Sequence, residues 1–274
     1  GWTKHLLDSD EKNTPEVQKR FRAEKPLKKA GLKLSRDNEK KSYATEMADL
    51  IISEHKKDSL TLVVVNRVDR AQEIFKELLA QGRNEGRTEK DAAVLHSRFR
   101  VGDRKSRMQL LDEKQDRIIV ATQVVEAGVD ISAHTLITEL APWPSLVQRI
   151  GRCNRRGEYQ TDAQILWIDI ETNSEEGGLA LPYESEDLDI ARDLVEKIPN
   201  SSASPEALAQ AAKGYVEPEA VRAVVRKKDF IDLFDTTPDL TGNDLDVSRF
   251  IREGEDKDVQ VYWRDGFSKE EGPK

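Results

Sequence analysis

The run LTLVVV at residues 60–65 constrains this chain most, because a continuous apolar, β-branched run is the pattern of a strand covered on both faces. VDRAQEIFKELLAQ (68–81) follows with helical spacing at Val68, Ala71, Ile74, Phe75, Leu78 and Leu79, and Gly82 stops it. The alternation then continues. AAVLHS (92–97), RIIVAT (117–122), TLITEL (135–140) and QILWIDI (164–170) read as strands. DRKSRMQLLDE (103–113) and a short segment at about 145–155 read as helices. Strands alternating with helices predict an α/β fold, a parallel sheet with helices on both faces. Ligands of such sheets sit at the carboxyl ends of the strands. NRVDR, LHSRF, ATQVVEAGVD and APWPSLVQR occupy those ends, so their polar residues are expected to converge on one rim.

The flanks read differently. Residues 1–59 are a polar, lysine-rich leader that gains helical periodicity only in YATEMADLIISEHKK, at Met47, Leu50 and Ile51. Residues 172–274 open with a Gly- and Glu-rich linker. Helical patterns follow at 187–198, at 204–214 with Ser204 as N-cap and Pro205 at the first turn, and at 217–234, ahead of a possible strand VQVYW. The expected organisation is a leader (1–59), a sheet domain (60–171) and a mainly helical appendage (172–274). The appendage carries 13 basic and 24 acidic side chains, whereas residues 60–171 carry 17 of each, so the acidic whole-chain balance says nothing about local basic patches. A single cysteine excludes an intramolecular disulfide, and with four scattered histidines it offers no metal-ligand spacing, so no bound metal is assigned to this chain. No apolar run reaches membrane-spanning length and no secretory pattern is visible, which leads to the expectation of a cytoplasmic protein without membrane partners.

SLVQRIGRCNRRG (145–157) concentrates four arginines. On a continuous helix Gln148, Arg152 and Arg155 share one face, with Arg149 and Arg156 on a neighbouring stripe. Arginine is a planar, permanently charged fork suited to phosphate oxygens, and Gly151 leaves room for close approach. The competing reading is a solvated basic face tied up in salt bridges. Thr122, Gln123 and Gly128 follow a buried strand and offer a hydroxyl, an amide side chain and an uncrowded main-chain N–H to a nucleic-acid phosphate, although a strand-end threonine needs no such role. Asn66 and Arg67 follow the first strand, where Asn66 could equally cap the next helix. Arg98 is a better candidate contact than His96, which reads as a structural histidine. Asp130 suits a ribose hydroxyl or the orientation of Arg152. Cys153 and Trp143 read as packing residues.

QRIGRCNRRG resembles motif VI of superfamily 2 helicases, ATQVVEAGVDIS (121–132) resembles their motif V, and LVVVNRVDRAQEIF (62–75) their motif IV. LHSRFRVGDR, TQVVEAGVDI, SLVQRIGRCNRRG and DLFDTTPDLTGNDLDVSRFIRE are similar to the helicase-nuclease of type I CRISPR systems, over about residues 15–265. The resemblance implies a second RecA-like helicase domain at 60–171. It implies ATP bound against a first helicase domain, with Arg152, Arg155 and Gln148 at the γ-phosphate and Gly128, Asp130 and Arg149 at the nucleotide. Asn66, Arg67, Arg98, Thr122 and Gln123 would face single-stranded DNA. Partners implied are the preceding helicase and nuclease domains and the CRISPR target-recognition complex. The rivals are an RNA helicase or remodelling ATPase of the same superfamily, and a non-catalytic nucleic-acid-binding module.

No G-x-x-x-x-G-K-[ST] loop occurs in the chain, nor a His-Asp dipeptide, and LLDEK (110–114) closes a predicted helix rather than following a buried strand. A phosphate cradle and Mg2+ are therefore expected mainly from the preceding domain, and these 274 residues alone are expected not to hydrolyse ATP.

Overall fold

The computed structural model describes residues 13–39, 42–82, 91–99, 116–159, 162–172, 178–199 and 202–216, with single positions at 227, 230 and 231. The predicted helices at 103–113 and, but for those single positions, 217–234 lie outside the described residues. So do LLDEK, the strand VQVYW and the DLFDTTPDL segment.

Among the described residues six strands form one sheet: β1 (Leu27–Leu34), β2 (Leu60–Val64), β3 (Ala92–Leu95), β4 (Arg117–Ala121), β5 (Thr135–Glu139) and β6 (Gln164–Ile170). Their order is β1-β6-β5-β2-β4-β3, and every neighbouring pair is parallel. The helices are α1 (Pro15–Phe21), α2 (Tyr43–Glu54), α3 (Val68–Gly82), α4 (Trp143–Ile150), α5 (Ser185–Val195) and α6 (Pro205–Ala211). This is the α/β parallel sheet that the strand–helix alternation predicts, and it agrees with the RecA-like fold that the resemblance implies.

The core follows from the apolar runs. Leu62, Val63, Val64 and Val65 are completely shielded, as are Ile119 to Ala121 and Leu136 and Ile137. Each of the valine, leucine and isoleucine side chains contributes about 1.5–3 kcal/mol on burial. Helix α2 buries Tyr43, Met47, Ala48 and Ile51 and packs against α3, which buries Ala71, Ile74 and Leu78. Helices α4 and α5 form a second packed pair.

Two boundaries differ from the sequence expectation. The leader supplies an edge strand, because β1 pairs with β6 from Leu27↔Ile165 to Leu34↔Ile170. Only Leu27 and Leu34 of LKKAGLKL are buried, and Lys28, Lys29 and Lys33 are exposed together with Gly31. An edge strand needs no continuous apolar run, and exposed lysines discourage further pairing. Helices α5 and α6 likewise belong with the sheet: residues 1–214 cluster as one compact unit and 215–274 as another. Asp169 on β6 accepts from Arg192 Nε of α5 at 2.7 Å and meets Lys29 Nζ of β1 at 2.9 Å, fastening that helix to the sheet edge.

Candidate functional site

Loops from β2, β4 and β5 are knitted together at their carboxyl ends by Asn66. Its main-chain N–H donates to Glu139 Oε2 at 2.7 Å, and its Nδ2 donates to Leu140 O at 2.8 Å. Its carbonyl accepts from Gln123 Nε2 at 2.8 Å. Asn66 is buried, so it organises the rim from within. Thr122 is buried too, with its N–H on Leu95 O, and it opens a single 3-10 turn (Gln123–Val125). Among the rim side chains, Arg98 is exposed, as are Ser97 and Asp69, while Arg67 and Gln123 are half-buried. Arg67 is one-third exposed and pairs with Asp69 and, at 3.5 Å, with Glu39. Gly128 adopts φ 72°, which disfavours any other residue, and a Cβ there would meet nothing within 4 Å. Its main chain is open to an approaching ligand.

Beneath the rim lies a charge centre that sequence reasoning missed. Glu139 is fully shielded at the end of β5. It accepts from Tyr43 Oη at 2.9 Å and pairs with Arg70 Nη1 at 2.7 Å, besides holding Asn66. Burial opposes charge on Arg70, but the Glu139 carboxylate outweighs it and raises the guanidinium above its ordinary pKa. Burial first, and then the same carboxylate, drive Tyr43 well above the usual phenol value. The available signal was a glutamate inside TLITEL, since a carboxylate in an otherwise buried strand requires a partner.

The arginine segment departs from a continuous helix. Helix α4 ends at Ile150, and Gly151 caps it. Eight residues advance about 12 Å, so the helix carries the chain back from the rim towards the strand starts. There Cys153 forms a parallel bridge with Ala133, just before β5. The four arginines therefore do not share a helix face, and they do not all sit on the rim.

Their environments differ accordingly. Arg149 is wholly buried; its Nε pairs with Glu126 at 2.8 Å, while Nη1 donates to Thr138 Oγ1 and Glu139 O and Nη2 to Tyr183 Oη. Arg152 is held by main-chain oxygens alone, Nη1 on Val129 O at 2.7 Å and Nη2 on Glu126 O at 2.5 Å. Among the described residues it has no carboxylate within ion-pair distance, and its buried Nε has no partner. Burial, and then the neighbouring charge of Arg155, lower its pKa, with Asp130 offsetting in part. Arg155 and Arg156 are each more than 40% exposed and share Asp130, at 3.3 and 2.7 Å. The hydrogen bond from Arg156 leads the causes that hold the Asp130 carboxyl below its usual range. Gln148 is exposed on the outer side of α4. Arg152, Arg155 and Arg156 thus form a cationic corner whose one surface carboxylate, Asp130, pairs with Arg155 and Arg156 only, and such a corner suits a phosphate group.

Glu126 was not foreseen as part of this arrangement. Its carboxylate holds Arg149 and accepts from Ser145 Oγ at 3.0 Å, while its carbonyl holds Arg152. It joins the turn after β4 to the arginine segment. Cys153 and Trp143 are buried packing residues, and burial pushes the Cys153 thiol up to about 12. His96 is buried, contacts Gln72 at 3.1 Å and stacks on Phe99. No group of three or more metal-ligating side chains occurs among the described residues, and no helix there is long and apolar enough to cross a membrane.

Residues 57–158 match the family model described as CRISPR-associated nuclease/helicase Cas3, C-terminal. A putative CRISPR-associated nuclease/helicase Cas3 from Methanocaldococcus jannaschii is 30% identical over 192 residues, 66% of this chain and 22% of that protein. The Cas3 of Methanothermobacter thermautotrophicus is 32% identical over 143 residues, 50% of this chain and 16% of its own. The chain spans less than a quarter of the length of these relatives. The fold superposes on T. fusca Cas3 solved with AMPPNP at a TM-score of 0.57 and 20% identity, covering 72% of this chain and 24% of that one. The structure solved with ATP gives 0.53, with 69% and 23% covered. Residues 57–158 include the β2–α3, β4–β5 and α4 segments that build the rim and the arginine corner, and this chain carries a Cas3-like superfamily 2 helicase C-terminal region.

Proposed function

We propose that this chain is the second RecA-like half of an ATP-dependent translocase acting on single-stranded DNA in type I CRISPR interference. In this reading Arg152 and Arg155 face the γ-phosphate of ATP held on a partner RecA-like domain, and Gln148 helps to position the attacked phosphate or water. Gly128 and Asp130 lie beside the nucleotide. Arg149, locked in the interior, supports the site from behind. Arg67, Arg98, Gly128 and the turn at Thr122 and Gln123 follow the DNA backbone, with Asn66 holding them in register. Mg2+, bound mainly by the partner domain, would neutralise phosphate charge. Closure of the two domains on ATP and reopening after hydrolysis would move the strand stepwise. The relatives' names as CRISPR-associated nuclease/helicases, and the nucleotides in the T. fusca Cas3 structures, support this reading.

One observation carries it. The Arg152 guanidinium is fastened by two carbonyls rather than neutralised by a carboxylate, beside a half-exposed Arg155. A structural arginine would take an acidic partner, as Arg149 and Arg70 do. The test is nucleic-acid-stimulated ATP hydrolysis by the full-length protein. Arg155→Ala, which removes no interior contact, should lower kcat by roughly a thousandfold. Wild-type turnover in that variant sinks the proposal. Stimulation by RNA rather than single-stranded DNA redirects it to an RNA-acting member of the superfamily.

A further inference from the structure

Asn154 lies between the two phosphate-facing arginines and is completely buried, with φ at 43°, a left-handed conformation that asparagine adopts more readily than most residues other than glycine. Its side chain spends both donors on main-chain oxygens, Nδ2 reaching Glu24 O at 3.0 Å and Tyr159 O at 2.7 Å. Its Oδ1 accepts the Tyr159 N–H at 3.1 Å, and its own N–H donates to Ala133 O at 2.9 Å. The next residue, Arg155, is fixed through its N–H to Ser132 Oγ at 2.8 Å. One carboxamide therefore joins the arginine loop, the return to β6 and the chain entering β1.

A second contact joins the same two segments. Gly157 has φ 66°, and a Cβ there would come within 2.6 Å of Lys19 O and 3.0 Å of Lys19 Cγ. Residues 19–24 are thus seated on the arginine loop at two points, Asn154 and Gly157, on either side of Arg155 and within two residues of it. Neither contact belongs to the sheet ladder or to its apolar core.

We infer that Asn154 is a positioning residue for Arg155: its carboxamide pins the arginine loop to the segment leading into β1, so the guanidinium is correctly placed only while that segment is docked. The inference rests on the nucleotide reading above. Displacement of residues 19–24 would release Glu24 from the carboxamide and let the loop, with Arg155, withdraw from the phosphate. A shift of about 1 Å at a reacting centre is enough to cost a large rate factor.

The experiment uses the full-length protein with Asn154→Gly, which tolerates the positive φ, and Asn154→Asp, which keeps the shape but has no donors. Arg155→Ala and thermal melting run alongside. The expected result is a fall in kcat of roughly tenfold to a hundredfold in both, with ATP KM and ADP affinity changed by less than about twofold and the fold retained. Wild-type kcat in both variants beside an inactive Arg155→Ala overturns this inference and leaves the nucleotide reading standing. A loss expressed only in KM, or failure of both variants to fold, overturns it as well by assigning Asn154 to binding or to structure. Full activity of Arg155→Ala removes the nucleotide reading and this inference together.

Discussion

Glu126 meets Arg149 carboxylate to guanidinium at 2.8 Å, in a position where the arginine has no solvent exposure at all. The pair bolts helix α4 to the turn after β4, and Ser145 Oγ adds a second bond to the same carboxylate. Removing one partner of a buried pair strands the other charge, which costs more than the pair itself contributes.

Glu126→Ala should therefore destabilise the protein by about 3 kcal/mol in urea unfolding, and Glu126→Gln by less because an acceptor for Arg149 remains. A change below about 0.5 kcal/mol in the alanine variant would show that water or another group compensates Arg149.

The Tyr43 hydroxyl donates to Glu139 at 2.9 Å, and burial and that carboxylate raise its pKa well above the usual value. In the unfolded chain the phenol ionises near pH ~10, so the folded state holds the proton more tightly. Stability should be fully present below that pH and fall as pH rises above it. Tyr43→Phe should cost about 2 kcal/mol at neutral pH and flatten the alkaline fall, as read from unfolding curves in mildly and strongly alkaline buffer. An equally steep fall in the phenylalanine variant would assign the effect to other groups.

Asp169 gives the opposite pH dependence. Burial disfavours its charge, but the bonds from Arg192 and Lys29 outweigh this and hold its carboxyl below the usual range. Its contribution should be present above the unfolded carboxyl pKa of about 3.9 and be lost as pH falls through the lower folded value. Asp169→Asn should remove that part of the acid sensitivity and loosen α5, measured as faster amide exchange in 185–195. Unchanged exchange there would show that apolar packing alone fixes the helix.

Gly128 and Gly157 share a positive φ but differ in surroundings. Gly128→Ala meets only the backbone strain of about 1 kcal/mol, because nothing lies within 4 Å of its Cβ. Gly157→Ala adds a collision with the Lys19 carbonyl and should destabilise the protein clearly more by thermal melting. Equal costs would mean that α1 yields freely.

Much of the fold was legible because its core strands are covered on both faces. LTLVVV, RIIVAT and QILWIDI carry uninterrupted apolar runs that leave little choice but interior parallel strands, and the intervening helical spacing dictates their connections. Edge strand β1 was not legible. Among the described residues one of its sides has no strand neighbour, and its lysines mask the pattern. The site divides similarly. The residue types of QRIGRCNRRG and its glycines mark a candidate anion-binding segment, but not which arginine faces inwards.

What the sequence by itself determined was the α/β alternation, the motifs and the inventory of candidate phosphate-binding side chains, all properties of local pattern and residue chemistry. Tertiary structure alone decided the partners. Helix α4 stops at Ile150, so residues 152–157 leave helical spacing and their neighbours come from distant segments. Arg149 finds Glu126, Arg152 finds two carbonyls, and Asn154 finds Glu24, at sequence separations of 23, 23 to 26 and 130 residues. Burial forces each polar group to find a partner, and chain folding determines which one is within reach.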